Sequence, residues 1–160
     1  MRSTVTGVIL LVLTTVIQAG QAPAAVQPPP PTPGAFVAQP SLFKTDSIEI
    51  RLAPTEGMEY KYRLEKGAAL VFSWTATAPV HYELHSEPDA GPKGYAETFD
   101  KHDSRDTAHA SYVAPFSGIH GWYWENRTGS EVTIRLVSAG HYTESLEFRR
   151  KQDVKRKAFN

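Results

Sequence analysis

From residue 47 onward, apolar and polar positions alternate along the chain. Residues 47–52 (SIEIRL) set Ile48, Ile50 and Leu52 against Glu49 and Arg51. Residues 58–64 (MEYKYRL) set Met58, Tyr60, Tyr62 and Leu64 against Glu59, Lys61 and Arg63. A period of two places one face of a strand on a core and the other in water. Residues 54–57 (PTEG) form the turn between these strands, and Lys66-Gly67 turns the chain into residues 69–75 (ALVFSWT), a nearly all-apolar strand that reads as central. Residues 80–85 (VHYELH) alternate again, with Val80, Tyr82 and Leu84 inward and His81, Glu83 and His85 outward.

Residues 86–94 (SEPDAGPKG) are loop by composition. A strand over 95–99, a polar turn over 101–106 (KHDSRD), and strands over 109–114, 119–126 and 131–138 complete a set of about eight. Residues 126–130 (NRTGS) read as the tight turn of a hairpin. No 3.6-residue period survives after residue 20. The pattern predicts an all-β fold, a single antiparallel β-sandwich or jelly roll of about eight strands over residues 41–146. A body of roughly 105 residues closes a modest core without disulfides. Trp74, Trp122, Trp124, Phe72 and Tyr82 supply its bulk.

The flanks read differently. Met1-Arg2 is a short positive end, residues 5–17 (VTGVILLVLTTVI) are mostly apolar and uncharged, and residues 18–22 (QAGQA) are small and polar. This is the layout of a signal peptide, cut after Ala19 or Ala22, or of a retained N-terminal anchor helix. The apolar run is short for a span, which needs roughly 20 residues. Residues 23–40 hold seven of the 12 prolines, four of them consecutive, and read as an extended polyproline linker. Residues 147–160 carry six basic and two acidic side chains. This basic C-terminal tail is either a solvated terminus or a contact for anionic headgroups at the inner-membrane surface.

Charge and cysteine usage narrow the chemistry. Lys plus Arg equals Asp plus Glu at 17 each, which argues against a nucleic-acid partner. The absence of Cys excludes disulfides, thiolate zinc sites, a Cys nucleophile and a lipid-modified cysteine. No nucleophile elbow or Gly-rich phosphate loop occurs. The histidines are then the candidate ligands or bases. On a strand, side chains two apart lie about 7 Å apart and those four apart about 13 Å. His81 and His85 therefore cannot share an ion by themselves. A divalent-metal site would need His81 or His85 to meet His120 from another strand, with Glu83, Glu87 or Glu125 completing it. In Trp122-Tyr123-Trp124 the two indoles point one way and Tyr123 the other. They serve either as core plus outer face or as an aromatic platform for a sugar or peptide. Asn126-Arg127-Thr128 fits the N-glycosylation pattern, although a turn Asn accounts for it.

The run 118–126 (GIHGWYWEN), followed by Arg127-Thr128-Gly129, by 132–136 (VTIRL) and by 140–144 (GHYTE), resembles a family of uncharacterised bacterial envelope proteins labelled transmembrane anchor proteins. Residues 52–60 (LAPTEGMEY) and the Lys66-Gly67 before a strand ending in Trp74 match the same pattern, and the resemblance covers roughly residues 48–146. It implies export to the periplasm or to the outer face of the inner membrane, and carries no established activity. The strand order is also similar to GOLD-type lumenal β-sandwiches, which implies binding of cargo rather than catalysis.

The expectation is an exported, non-enzymatic envelope module that binds a protein or small ligand. The contact residues would be His81, Glu83, His85, His120, Tyr123, Glu125 and Asn126. A second reading is a periplasmic metal-binding accessory using His81, His85 and His120, the only reading that implies a cofactor. A third, a glycan hydrolase, needs two carboxylates roughly 5 to 9.5 Å apart in a cleft.

Overall fold

The computed structural model describes residues 34, 36–39 and 41–159. The signal or anchor segment at 1–22 and most of the 23–40 linker lie outside the described residues. The body is all-β and antiparallel: β1 (Lys44–Leu52), β2 (Gly57–Leu64), β3 (Ala69–Pro88), β4 (Glu97–Val113), β5 (Gly118–Glu125), β6 (Val132–Gly140), β7 (Tyr142–Arg149) and β8 (Lys155–Ala158). They form one sheet in the order β1-β6-β3-β5-β2-β7-β8, with β4 on the other edge of β3.

The sheet folds on itself because β3 is long enough to serve two layers. Its first half, Leu70 to Ala76, pairs with β6, while His81 to Pro88 pairs with β5. The register against β4 breaks between Thr75 and Val80, around Ala76, Thr77, Ala78 and Pro79, where the strand bends. Proline cannot donate to a ladder and sits at such bulges. The pattern at 69–75 and 80–85 thus belongs to one bent strand rather than two. Likewise, the polar stretch 101–106 lies within β4 and is not a turn, because an edge strand tolerates charge on both faces.

The β1-β6 arm stacks on the β5-β2-β7 arm through their inner faces. Phe72 meets Trp122 edge-on at 4.9 Å, and Trp74 meets Trp124 at 5.8 Å and Tyr82 at 5.1 Å. All three tryptophans are fully buried. On the open side, between β1 and β7-β8, a polar clasp closes the stack. The Asp46 carboxylate accepts from the Tyr60 and Tyr62 hydroxyls at 2.8 and 2.9 Å and from Lys157 Nζ at 2.8 Å. Tyr62 also meets Ser138 at 2.7 Å, and the Tyr60 hydroxyl, its proton given to Asp46, meets Ser145 at 2.9 Å.

The turn at 126–130 does not make a β5–β6 hairpin: β5 pairs with β3 and β2, and β6 with β1 and β3. The turn crosses between layers, and Asn126 fixes it. Its buried amide donates to the carbonyls of Leu52, Ala53 and Ser130 at 3.0, 3.1 and 2.7 Å. The sheet also continues past residue 146. Tyr142 is buried against Tyr62 at 4.2 Å, β7 runs to Arg149, and part of the basic tail forms β8. Lys155–Ala158 is exposed on all four side chains, so no buried stripe marks it as a strand; backbone pairing to 144–147 holds it.

Candidate functional site

β5 lies between β3 and β2, and its register sorts the candidate residues. On the inner face Trp124, Trp122 and His120 stand beside Tyr82, Leu84 and Ser86 of β3. On the outward face four rows run across β2-β5-β3: Gly57-Glu125-His81, Glu59-Tyr123-Glu83, Lys61-Gly121-His85 and Arg63-Ile119-Glu87. The candidates His81, Glu83, His85, Tyr123 and Glu125 therefore share one surface.

His120 and Asn126 do not join them. His120 faces the core, fully buried, with Nδ1 2.9 Å from the Tyr112 hydroxyl, which also meets Ser86 at 3.1 Å. Burial pushes His120 down to about 4, and burial likewise pushes the Tyr112 hydroxyl up to about 12. Neither His81 nor His85 meets His120, as the metal-site alternative requires, because neighbours along a strand point to opposite faces and His120 lies across the sheet from the other two. Asn126 is consumed by its turn.

The centre of the outward face is the Lys61-Gly121-His85 row. Two strand spacings separate Lys61 from His85, roughly 9 to 10 Å. A lysine stem spans that gap only where the intervening residue has no side chain. A Cβ on Gly121 would run into Tyr60 O and lie 2.8 Å from the Lys61 Cα. Across this bare position Lys61 Nζ reaches His85 Nε2 at 2.6 Å, Glu87 Oε1 at 2.8 Å and Glu59 Oε2 at 3.3 Å. The Lys61 side chain has no exposed surface, whereas those of Glu59 and Glu87 are 33% and 45% exposed. An ammonium only donates, so His85 Nε2 accepts and its ring proton sits on Nδ1, which is buried without a partner among the described residues. Burial works to raise the Glu59 carboxyl, but the neighbouring His85 and Lys61 prevail and hold it below its ordinary range.

Beside this cluster lies an open groove of about 400 Å³ lined by Gly57, Glu59, Tyr123, Glu125, Phe148 and Arg150, among others. The Tyr123 ring lies over Gly57, where a Cβ would come 2.5 Å from the hydroxyl, and meets His81 edge-on at 5.9 Å. Burial, then the Glu125 charge, raises the Tyr123 hydroxyl. Glu83 accepts from Thr98 at 2.7 Å and pairs with Lys101 at 3.1 Å. His81 leans on Asp103 at 3.2 Å, which Arg127 also holds at 3.2 Å.

Glu59 and Lys61 escape a pattern reading because their alternation places them in water. The signal that finds them is Gly121, a glycine inside an aromatic strand, which marks a close approach across it. No protein-family model matches this chain, and no curated protein is similar to it.

Proposed function

We propose that the chain is an exported, non-enzymatic binding module whose contact surface is the outward face of β2-β5-β3, centred on Tyr123. One observation carries this reading. An outward sheet face normally bears solvated charges, yet here a fully buried lysine, a buried histidine and two partly covered glutamates are packed together. Burying ions adds little to stability, and such clusters concentrate at functional surfaces. The adjoining groove offers aromatic faces from Tyr123 and Phe148 and carboxylates from Glu59 and Glu125. Arg149 and Arg150 line it as well, so it suits a ligand with a planar or apolar body that carries both a positive and a negative group, either a small molecule or a charged segment of an envelope protein.

The test is backbone-amide NMR of the 41–159 body while amino sugars and short Lys- or Arg-containing peptides are titrated in. Shifts centred on Tyr123, Glu59 and Glu125, lost in Tyr123→Ala, support the reading. Saturable binding that shifts only the β1-β6 face would defeat it. Export rests on residues 1–22 and is tested separately, by the mature N-terminus of the protein recovered from envelope fractions. A second reading, a metal-binding accessory, is favoured by one arrangement: the ligand atoms of Glu59, His85 and Glu87 lie within 4.8 Å of one another.

A further inference from the structure

The Glu59-His85-Glu87 group is already filled. Lys61 Nζ stands among its three donor atoms at 3.3, 2.6 and 2.8 Å, the position a cation would take. The three donors, one imidazole nitrogen and two carboxylate oxygens, form a set that suits a first-row divalent ion. Such an ion draws its ligands to about 2.0 to 2.2 Å, a contraction the partly exposed glutamates can make. The ammonium and the metal cannot coexist, since both use His85 Nε2 and the same carboxylates.

We infer that Glu59, His85 and Glu87 form a divalent-metal position in which the Lys61 ammonium is a resident competitor, so that a metal enters only by displacing it. This rests on the metal-binding reading and assigns it ligands and a gate. The surroundings agree with a site built for one cation. Gly121 keeps the row bare so that the occupant sits low in the sheet. The other nearby basic groups are engaged elsewhere: Arg63 with Asp89 and Glu144, His81 with Asp103, and Lys101 with Glu83. With Lys61 shortened or removed, two carboxylates and a histidine are left with no positive partner and an open path from solvent through the exposed glutamates.

The test compares zinc and manganese uptake by calorimetry in tag-free native chain, Lys61→Gln, and Lys61→Gln combined with His85→Ala. Far-UV circular dichroism and thermal melts verify that each remains folded, and Lys61→Met replaces Lys61→Gln if the latter does not. The expected result is one equivalent of zinc in Lys61→Gln, bound at least about 100-fold more tightly than by the native chain. That factor corresponds to the loss of two charge-assisted hydrogen bonds by the displaced ammonium. The double variant should lose this uptake. Equal, His85-dependent affinity in the native chain and Lys61→Gln would leave the metal site standing and overturn the role of Lys61. Absence of uptake in the folded Lys61 single variant would overturn the site itself.

Discussion

Lys157 and Lys61 each hold a carboxylate oxygen at 2.8 Å, but the two pairs are built inside out. In the clasp between β1 and β8 the carboxylate is hidden and the lysine is wet: the Asp46 side chain is 3% exposed and that of Lys157 58%. On the outward face of β2-β5-β3 the lysine is hidden and the carboxylates reach water. The clasp has an architectural reason. It joins the two arms of the folded sheet, ties down two buried tyrosines, and leaves its ammonium where hydration is retained. The outer cluster joins three strands that backbone pairing already holds. A buried ion group that the fold does not need is the one to read as functional.

The harshest way to break the comparison is to fill the position that permits the outer cluster. Gly121→Ala pushes a methyl into the β2 backbone, which cannot give way as a flexible side chain would. We expect a loss of about 4 kcal/mol in urea unfolding, at the severe end for one substitution. A loss below about 1 kcal/mol would mean that β2 and β5 approach less closely than described.

One residue earlier on β5, the chain faces the core and the expected effect is on pH. His120 is held down at about 4 by burial, against an ordinary 6.5. Below 6.5 the unfolded chain takes up a proton that the native state refuses. Stability is therefore complete above pH 6.5 and falls as the pH drops toward 4, by up to about 3 kcal/mol. Asp46 and Glu59 act lower. Their carboxyls lie below their ordinary values, Asp46 because Lys157, Tyr60 and Tyr62 overcome the effect of burial. Their contribution is present above the unfolded values of 3.8 and 4.5 and is lost as the pH falls through the native ones. Urea titrations between pH 7 and 4 should show the slope in the native chain and a flattened one in His120→Asn.

Asp46→Asn is the next smaller step. The amide oxygen can still accept from one or both tyrosines, but the amide nitrogen now faces the Lys157 ammonium and the Ser47 amide, both donors. A loss of about 2 kcal/mol is expected from the weakened charged hydrogen bonds. No change in the urea midpoint would show that the clasp does not hold the arms together.

The legible parts of the molecule were those where one face alone is buried. Residues 47–52 and 58–64 alternate because β1 and β2 each lay one side on the core, and Trp122 and Trp124 declare the inner side of β5. The bent β3 reads as two strands, 69–75 and 80–85, because the pattern lapses over the residues where the register breaks. β8 left no trace, since its side chains are all exposed. The pairing of His81, Glu83 and His85 with the 120–126 run could be anticipated, but parity placed His120 across the sheet from them. The burial of Lys61 and His85 was invisible, because alternation reports which face a residue is on and says nothing of what lies over it.

The smallest stability effect separates the two clusters most sharply. Lys61→Met removes the hidden charge and keeps an unbranched apolar stem over Gly121. Glu59 and Glu87 lose their cation, but both already reach water and can turn toward it, so neither becomes a buried unpaired ion. Removing one partner of a buried ion group is costly where it strands a buried charge, and here the charges left behind are hydrated. The expected change is within about 1 kcal/mol of the native chain, smaller than that of Asp46→Asn despite the deeper burial of Lys61. If Lys61→Met costs as much as breaking the clasp, the outer cluster is a structural fastening like the inner one. The argument from needless burial to function then loses its footing.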